Sequence, residues 1–281
     1  MDEELAKLFA YIKKKRMLDF SAYRQNTVGR RLQTRLIATG APDYGSYLAY
    51  LRENPEELNA LVDALLIKVS CFFRNPLVFD NLLAIVLPEL LDACEGDLLK
   101  IWCAGCARGE EAYSIAMLIK DLVGKEQAGP PLFILGTDVD GRTLEDARKA
   151  EYQPEFLGDV RKSYLDRYFT AGNGLYRVSD EIKNMVVFAH HDITTCSAPK
   201  EGIFSDYHLI LCRNVNIYLD RALSEKVLTG LSRFIPAGGY MVLGEAESLP
   251  VRIAEEYSEL SRMTKIFRKK GPWQRQAKSE A

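Results

Sequence analysis

Apolar positions in this chain follow two different periods. Over the first 68 residues they recur every three or four places: Leu5, Leu8, Phe9 and Ile12 make one stripe, and Val28, Leu32 and Leu36 a second. Asp43 reads as an N-cap before Tyr44, Tyr47, Leu48 and Leu51, and Asn54-Pro55-Glu56-Glu57 opens a fourth helix with proline and carboxylates in its first turn. No run there suits a strand, so residues 1–68 are predicted to form a separate all-helical domain. Beyond residue 69 the pattern becomes short continuous apolar runs, at 98–103, 132–139, 185–189, 209–212, 239–243 and 264–268, separated by helical stripes such as 77–91 and 221–234. That alternation predicts an α/β domain over residues 69–281, built on an open, mostly parallel sheet. Residues 152–184 interrupt it. There Tyr164, Leu165, Tyr168 and Phe169 suggest a helix, and Gly172-Asn173-Gly174 a hairpin turn, so a small β-subdomain is expected as an insert. The polar tail, residues 269–281, is predicted to be disordered.

The chemistry gathers where apolar runs end. The run 98–103 passes through Ala104-Gly105-Cys106-Ala107-Arg108-Gly109 into a helical stripe that starts at Glu110. Strand, glycine turn and helix open a nucleotide-cofactor site. In a dinucleotide site the helix N-terminus holds a pyrophosphate, yet here the first turn carries Glu110 and Glu111. Two carboxylates suit the helix dipole but repel a diphosphate. A ligand with ribose hydroxyls, an ammonium or a sulfonium fits better, and S-adenosylmethionine (SAM) has all three. On residues alone the doublet is equally consistent with simple stabilisation of the helix start. The run 132–139 ends in Asp138, where such sheets present a carboxylate to a ribose, and the run 207–219 carries Arg213-Asn214 at the end of its strand.

Composition narrows the class. A 281-residue chain with 47% apolar and 27% charged residues is an ordinary globular protein long enough for two domains. A net charge of −2 argues against general attraction to nucleic acid or an anionic membrane. With no apolar run of transmembrane length and six scattered cysteines, a cytoplasmic protein is expected, with no direct membrane insertion. Locally the charge is lopsided: Lys13, Lys14, Lys15, Arg16, Arg24, Arg30, Arg31 and Arg35 face Asp19 alone. This is either a solvated basic face or a dock for an acidic partner. Cys103 and Cys106 form a C-x-x-C, and His190-His191-Asp192 a histidine pair, but neither has the companions a zinc or redox centre needs, so no metal is expected.

Four ordered motifs, Ser70-Cys71-Phe72-Phe73-Arg74, Ala104-Gly105-Cys106 with Gly109-Glu110-Glu111 and Tyr113-Ser114, Thr137-Asp138-Val139-Asp140, and Cys212-Arg213-Asn214-Val215 with Ile217-Tyr218, resemble the chemotaxis receptor methyltransferases, the CheR family. The resemblance covers nearly the whole chain. It implies a Rossmann-like SAM-dependent methyltransferase sheet with an N-terminal helical domain, and the methylation of glutamate carboxylates on chemotaxis receptors. It further implies that Lys68, Ser70, Arg74, Glu110, Asp138, Asp192, Ile193, Asn214 and Val215 bind SAM, the product being S-adenosylhomocysteine. Glu110 would meet the methionyl ammonium, Asp138 the ribose hydroxyls, and Asp192-Ile193 the adenine. Arg74 and Tyr218 would orient the reacting groups. Arg30, Arg31 and Arg35 would bind the cytoplasmic methylation helices of the receptor, with the enzyme acting as a monomer. The short turn at residues 171–174 implies independence of a C-terminal receptor tether.

Several positions depart from the family pattern. Ala107-Arg108 stands where Ser-Thr is usual, Ala112 where Pro is usual, and Lys68 where Asn is common; Thr34 and Ile37 replace further arginines. Three other functions compare with this one on residues. A nucleic-acid methyltransferase would carry prolines where Val215-Asn216 stand, and a nicotinamide dehydrogenase would not carry the carboxylate doublet. The third is a SAM-binding regulatory or scaffold protein that has lost methyl transfer.

Overall fold

A computed structural model describes residues 3–66, 70–94, 96–124, 129–202, 206–261 and 263–273. The chain divides into two compact units, one of Met1–Lys68 with Ile217–Ser224, the other of Val69–Asn216 with Glu225–Ala281.

The first unit contains helices α1 (Glu3–Arg16), α2 (Gln25–Thr39), α3 (Tyr44–Glu53) and α4 (Pro55–Leu65). Their apolar stripes turn inward: Leu8, Ile12, Leu32, Leu51 and Leu61 are fully buried. The Asp43 carboxylate caps α3 by accepting the Ser46 amide at 2.7 Å. One polar knot joins three helices. Glu57 on α4 accepts Arg35 Nε of α2 at 2.9 Å, Arg35 Nη2 at 2.6 Å and the Tyr47 hydroxyl of α3 at 2.6 Å. The segment Ile217–Ser224, just over 150 residues beyond α4, belongs to this unit: Leu219 bridges Tyr23 in antiparallel fashion, and the Arg24 amide donates to the Tyr218 carbonyl at 2.9 Å. The period of residues 1–68 gave no hint of it, because the contact runs through backbone groups.

The second unit opens with α5 (Pro76–Asn81), a π-helical turn (Leu82–Val86) and α6 (Leu87–Ala93). The sequence predicts one plain helix over 77–91. Pro88 explains the difference, since it has no amide to give to the preceding turn and its ring needs the wider spacing. Then follow β1 (Leu99–Ala104), α7 (Glu110–Val123), β2 (Leu132–Asp138), α8 (Gly141–Lys149), β3 (Glu151–Tyr152), α9 (Lys162–Tyr168), β4 (Phe169–Gly172), β5 (Leu175–Val178), α10 (Asp180–Lys183) and β6 (Val186–His190). The chain ends in β7 (Leu209–Cys212), α11 (Arg221–Ser232), β8 (Tyr240–Leu243), α12 (Val251–Ala254), β9 (Tyr257–Ser261) and β10 (Ile266–Lys269).

Seven strands form one sheet in the order β6-β2-β1-β7-β8-β10-β9, parallel from β6 to β8 and antiparallel at β10 and β9. Strand β1 is buried along its whole length, as a strand covered on both faces requires. Trp102 lies beneath His191 and Tyr207 and donates its indole N–H to Thr137 Oγ1 at 2.8 Å. The insert is a three-stranded antiparallel sheet, β3-β5-β4, whose hairpin turns on Asn173 (φ +52°) and Gly174 (φ +76°). That pair of left-handed residues is what a two-residue turn between twisted strands needs.

The expected disordered tail needs correction. Lys269 ends β10, and Trp273 packs its ring 4.7 Å from that of His208 and covers Gly238. Residues 274–281 lie outside the described residues. Strand β9, unforeseen, is an edge strand with three exposed positions, which erases its apolar signal.

Glu57→Ala would strand the Arg35 guanidinium and the Tyr47 hydroxyl, so urea denaturation should show a loss of about 2 kcal/mol. Burial raises the Glu57 pKa, but the Arg35 and Tyr47 hydrogen bonds outweigh it and hold it below the ordinary glutamate value. This contribution is therefore present at neutral pH and is lost as pH falls through the lowered value. A variant as stable as the parent would remove the knot from the list of supports.

Candidate active site at the carboxyl ends of the strands

The sheet order reverses between β1 and β7, since β1 leads to β2 on one side while β7 lies on the other. In an open parallel sheet the crevice at such a point holds the ligand, and the loops after β1, β2 and β7 meet here. Gly105 has φ +77°, and a Cβ there would come within 2.4 Å of Val215 Cγ2, so both conformation and space demand glycine. Gly109 has φ +85° and would meet Phe188 at 2.6 Å. Asp138, at the end of β2, fixes the turn: one carboxylate oxygen accepts the Ala107 amide at 2.9 Å and the other the Asp140 amide at 3.0 Å. Burial raises its pKa against these donors. Two amides leave roughly half of a carboxylate's acceptor capacity unused.

The Glu110-Glu111 doublet splits into two different environments. Glu111 Oε2 receives Arg213 Nη1 at 3.0 Å. Burial pushes its pKa up, and the Arg213 charge opposes. Arg213 is itself buried and donates to the Arg74 carbonyl at 2.8 Å and to Asn75 Oδ1 at 2.9 Å. It thus clamps a segment in which Phe73 and Asn75, on either side of Arg74, both hold positive φ. Glu110 has no such partner. Its carboxylate is wholly buried, and neither oxygen completes a hydrogen bond among the described residues. Burial pushes its pKa up to about 7, against its own amide, the Arg108 charge and the Ser70 hydroxyl. A buried carboxylate without a donor is costly, and an ammonium would relieve it.

After β7, Asn214 takes φ +60° and Glu247 holds the turn. Its carboxylate accepts the amides of Gly244 at 2.6 Å, Asn216 at 2.8 Å and Asn214 at 3.0 Å. Sequence reasoning missed Glu247. The only available signal is an acidic residue just past a strand end, because its partners are backbone amides of no particular residue type. Asp192 caps the 3-10 turn Ile193–Thr195, accepting the Thr194 amide at 2.8 Å and hydroxyl at 2.7 Å, and Ile193 is buried. The His190 ring donates to the Val139 carbonyl at 3.0 Å, beside the loop that Asp138 anchors.

The second unit thus brings together Ser70, Glu110, Asp138 and Val215 with the Asn214 turn, and ties Arg74 to them through Arg213. Lys68 lies outside the described residues. Tyr218, Arg30, Arg31 and Arg35 belong to the helical unit. There Arg35 is engaged by Glu57, Arg31 donates to the Ala64 carbonyl, and Arg30 is exposed. Cys103 and Cys106 are buried, and burial pushes both thiols well above their ordinary range.

Residues 68–266 match the family described as CheR methyltransferase, SAM binding domain, and residues 3–66 match the CheR methyltransferase, all-alpha domain. The chain belongs to the CheR methyltransferase family. It is 31% identical to the chemotaxis protein methyltransferase of Escherichia coli K12, over 80% of this chain and 77% of that one. The chemotaxis protein methyltransferase of Listeria monocytogenes is 28% identical, over 83% of this chain and 85% of its own length. An uncharacterised 104.1 kDa protein of Rhodobacter capsulatus is 34% identical over 89% of this chain, which spans only 26% of that relative. As a CheR-family protein the chain is a SAM-dependent methyltransferase. The site fits that cofactor: Glu110, buried and without a completed hydrogen bond among the described residues, would receive an ammonium, and Asp138 would have acceptor capacity for vicinal hydroxyls.

Two measurements follow from this geometry. An ammonium binds the ionised form of Glu110, so affinity for S-adenosylhomocysteine should rise with pH, by roughly tenfold between pH 6 and pH 8. Glu110→Gln should flatten the profile; a flat profile in the parent would separate Glu110 from the ligand. Without ligand the sign reverses: the folded state holds the Glu110 proton more tightly, so this group's stabilising share falls as pH rises from 4.5 to about 7. Glu247→Gln would point an amide donor at backbone N–H groups, and calorimetry should show S-adenosylhomocysteine binding roughly tenfold weaker in a protein with unchanged circular dichroism. Equal affinity would confine Glu247 to stabilising its own turn.

Proposed function

We propose that this protein transfers a methyl group to glutamate side-chain carboxylates on the cytoplasmic helices of chemotaxis receptors. The observation that carries the reading is the buried Glu110 carboxylate, which completes no hydrogen bond among the described residues, at the end of the turn that Asp138 holds. When bound, SAM supplies the electrophilic methyl group. A glutamate carboxylate is already ionised at neutral pH, so this chain need supply no general base. Its residues have to orient the acceptor in line and exclude water. By the family's pattern Arg74 and Tyr218 orient the reacting groups, and the basic face of α2 receives the acidic helix. On that face Arg30 is the exposed charge, while Arg31 and Arg35 are engaged within the unit. The two-residue hairpin turn at Asn173-Gly174 supports action without a receptor tether. No helix among the described residues is long and apolar enough to cross a membrane, which agrees with work on the cytoplasmic part of a receptor.

Incubation with SAM labelled in its methyl group and a soluble receptor fragment should yield base-labile label on glutamate. Asp138→Ala should abolish labelling and weaken S-adenosylhomocysteine binding by at least roughly tenfold, since hydrogen bonds to a charged group are lost. Intact cofactor binding without label on any receptor fragment would overturn the reading in favour of a regulatory SAM-binding protein.

A further inference from the structure

Arg108 sits in the glycine turn where the family pattern has a small hydroxyl residue, and its surroundings are built. The Tyr152 hydroxyl donates to its carbonyl at 2.6 Å. Its guanidinium carbon lies 4.0 Å from the centre of the Phe156 ring, close enough for a cation–π contact. Its Nε stands 3.6 Å from Glu110 Oε1, too far for a hydrogen bond. That Nε is buried and has no hydrogen-bond partner among the described residues, and the same holds for both oxygens of Glu110.

Two opposite charges therefore lie side by side, each with hydrogen-bonding capacity unfilled among the described residues. A simple cation would satisfy Glu110 and leave Arg108 facing a neutralised neighbour. A simple anion would do the reverse. A group that carries an ammonium and a carboxylate on one carbon satisfies both, and the methionyl end of SAM is such a group. Phe156 holds the guanidinium from one face, which leaves its edge for a planar carboxylate.

We infer that Arg108 binds the α-carboxylate of the cofactor while Glu110 binds its ammonium, which makes Arg108 a specificity determinant for the amino-acid end of the ligand. The inference rests on the SAM site described above.

The test compares S-adenosylhomocysteine with its decarboxylated analogue, S-adenosyl-3-thiopropylamine, by calorimetry on the full chain. The parent should bind the carboxylate-bearing ligand about tenfold more tightly. Arg108→Met keeps an apolar stem over Phe156. It should bind S-adenosylhomocysteine about tenfold more weakly, bring the ratio of the two affinities close to one, and leave the analogue's affinity unchanged or improved. Arg108→Lys, which keeps the charge without the planar fork, should restore part of the preference. A methionine variant that keeps the parental ratio overturns the inference. So does one that binds both ligands more tightly by the same factor, because Arg108 would then merely compete for Glu110. If the parent binds neither ligand, the cofactor site itself is misassigned and the inference falls with it.

Discussion

Asp138 couples the two loops on which the site depends. Its carboxylate accepts one amide from the turn after β1 and one from the turn after β2, so neither loop is placed independently of the other. The first of those amides belongs to Ala107, which stands at a positive φ that a non-glycine residue adopts at a cost of about 1–2 kcal/mol. The hydrogen bond to Asp138 helps to offset that cost. With the turn held this way, Gly105 can lie against Val215 and Gly109 against Phe188. Two strand ends are thereby tied together by a single acidic side chain.

The two neighbouring glutamates on α7 show how placement, not residue type, decides a role. Glu111 faces a buried guanidinium and completes a hydrogen bond, so its charge is spent within the protein. Glu110, one position earlier, points to where no donor completes a bond. Burial has the same direction of effect on both. Only the second keeps the capacity to recognise something from outside. A like arrangement recurs at Glu247, where three backbone amides converge on one buried carboxylate and hold the Asn214 turn.

Much of the fold was legible because it rests on periodicity. The four helices, the strands β1, β2, β6, β7, β8 and β10, and the cap at Asp43 each leave a local pattern. The strand-end positions of Asp138 and Asn214, and the place of Glu110 at the start of α7, could be read from where the apolar runs stop. What escaped was carried by nonlocal or backbone contacts. The Glu247 amides have no sequence signature, β9 is an edge strand with few inward positions, and the π-turn before Pro88 reflects backbone accommodation inside a stripe that still looks helical. Trp273 was hidden by its polar neighbours, though its ring closes over His208.

The short segment Ile217–Ser224 alters what counts as a module in this protein. Sequence families divide the chain near residue 67, which suggests an N-terminal helical piece that evolution could shuffle as a block. Yet that piece is completed by eight residues encoded far downstream, whose carbonyls at Tyr218 and Leu219 receive the amide and the guanidinium of Arg24. A gene fragment cut at the apparent boundary would inherit four helices but not Leu219, whose backbone bridges Tyr23. The helical unit is therefore complete only once the chain has been made as far as Ser224, well after the strands of the other unit have begun to form.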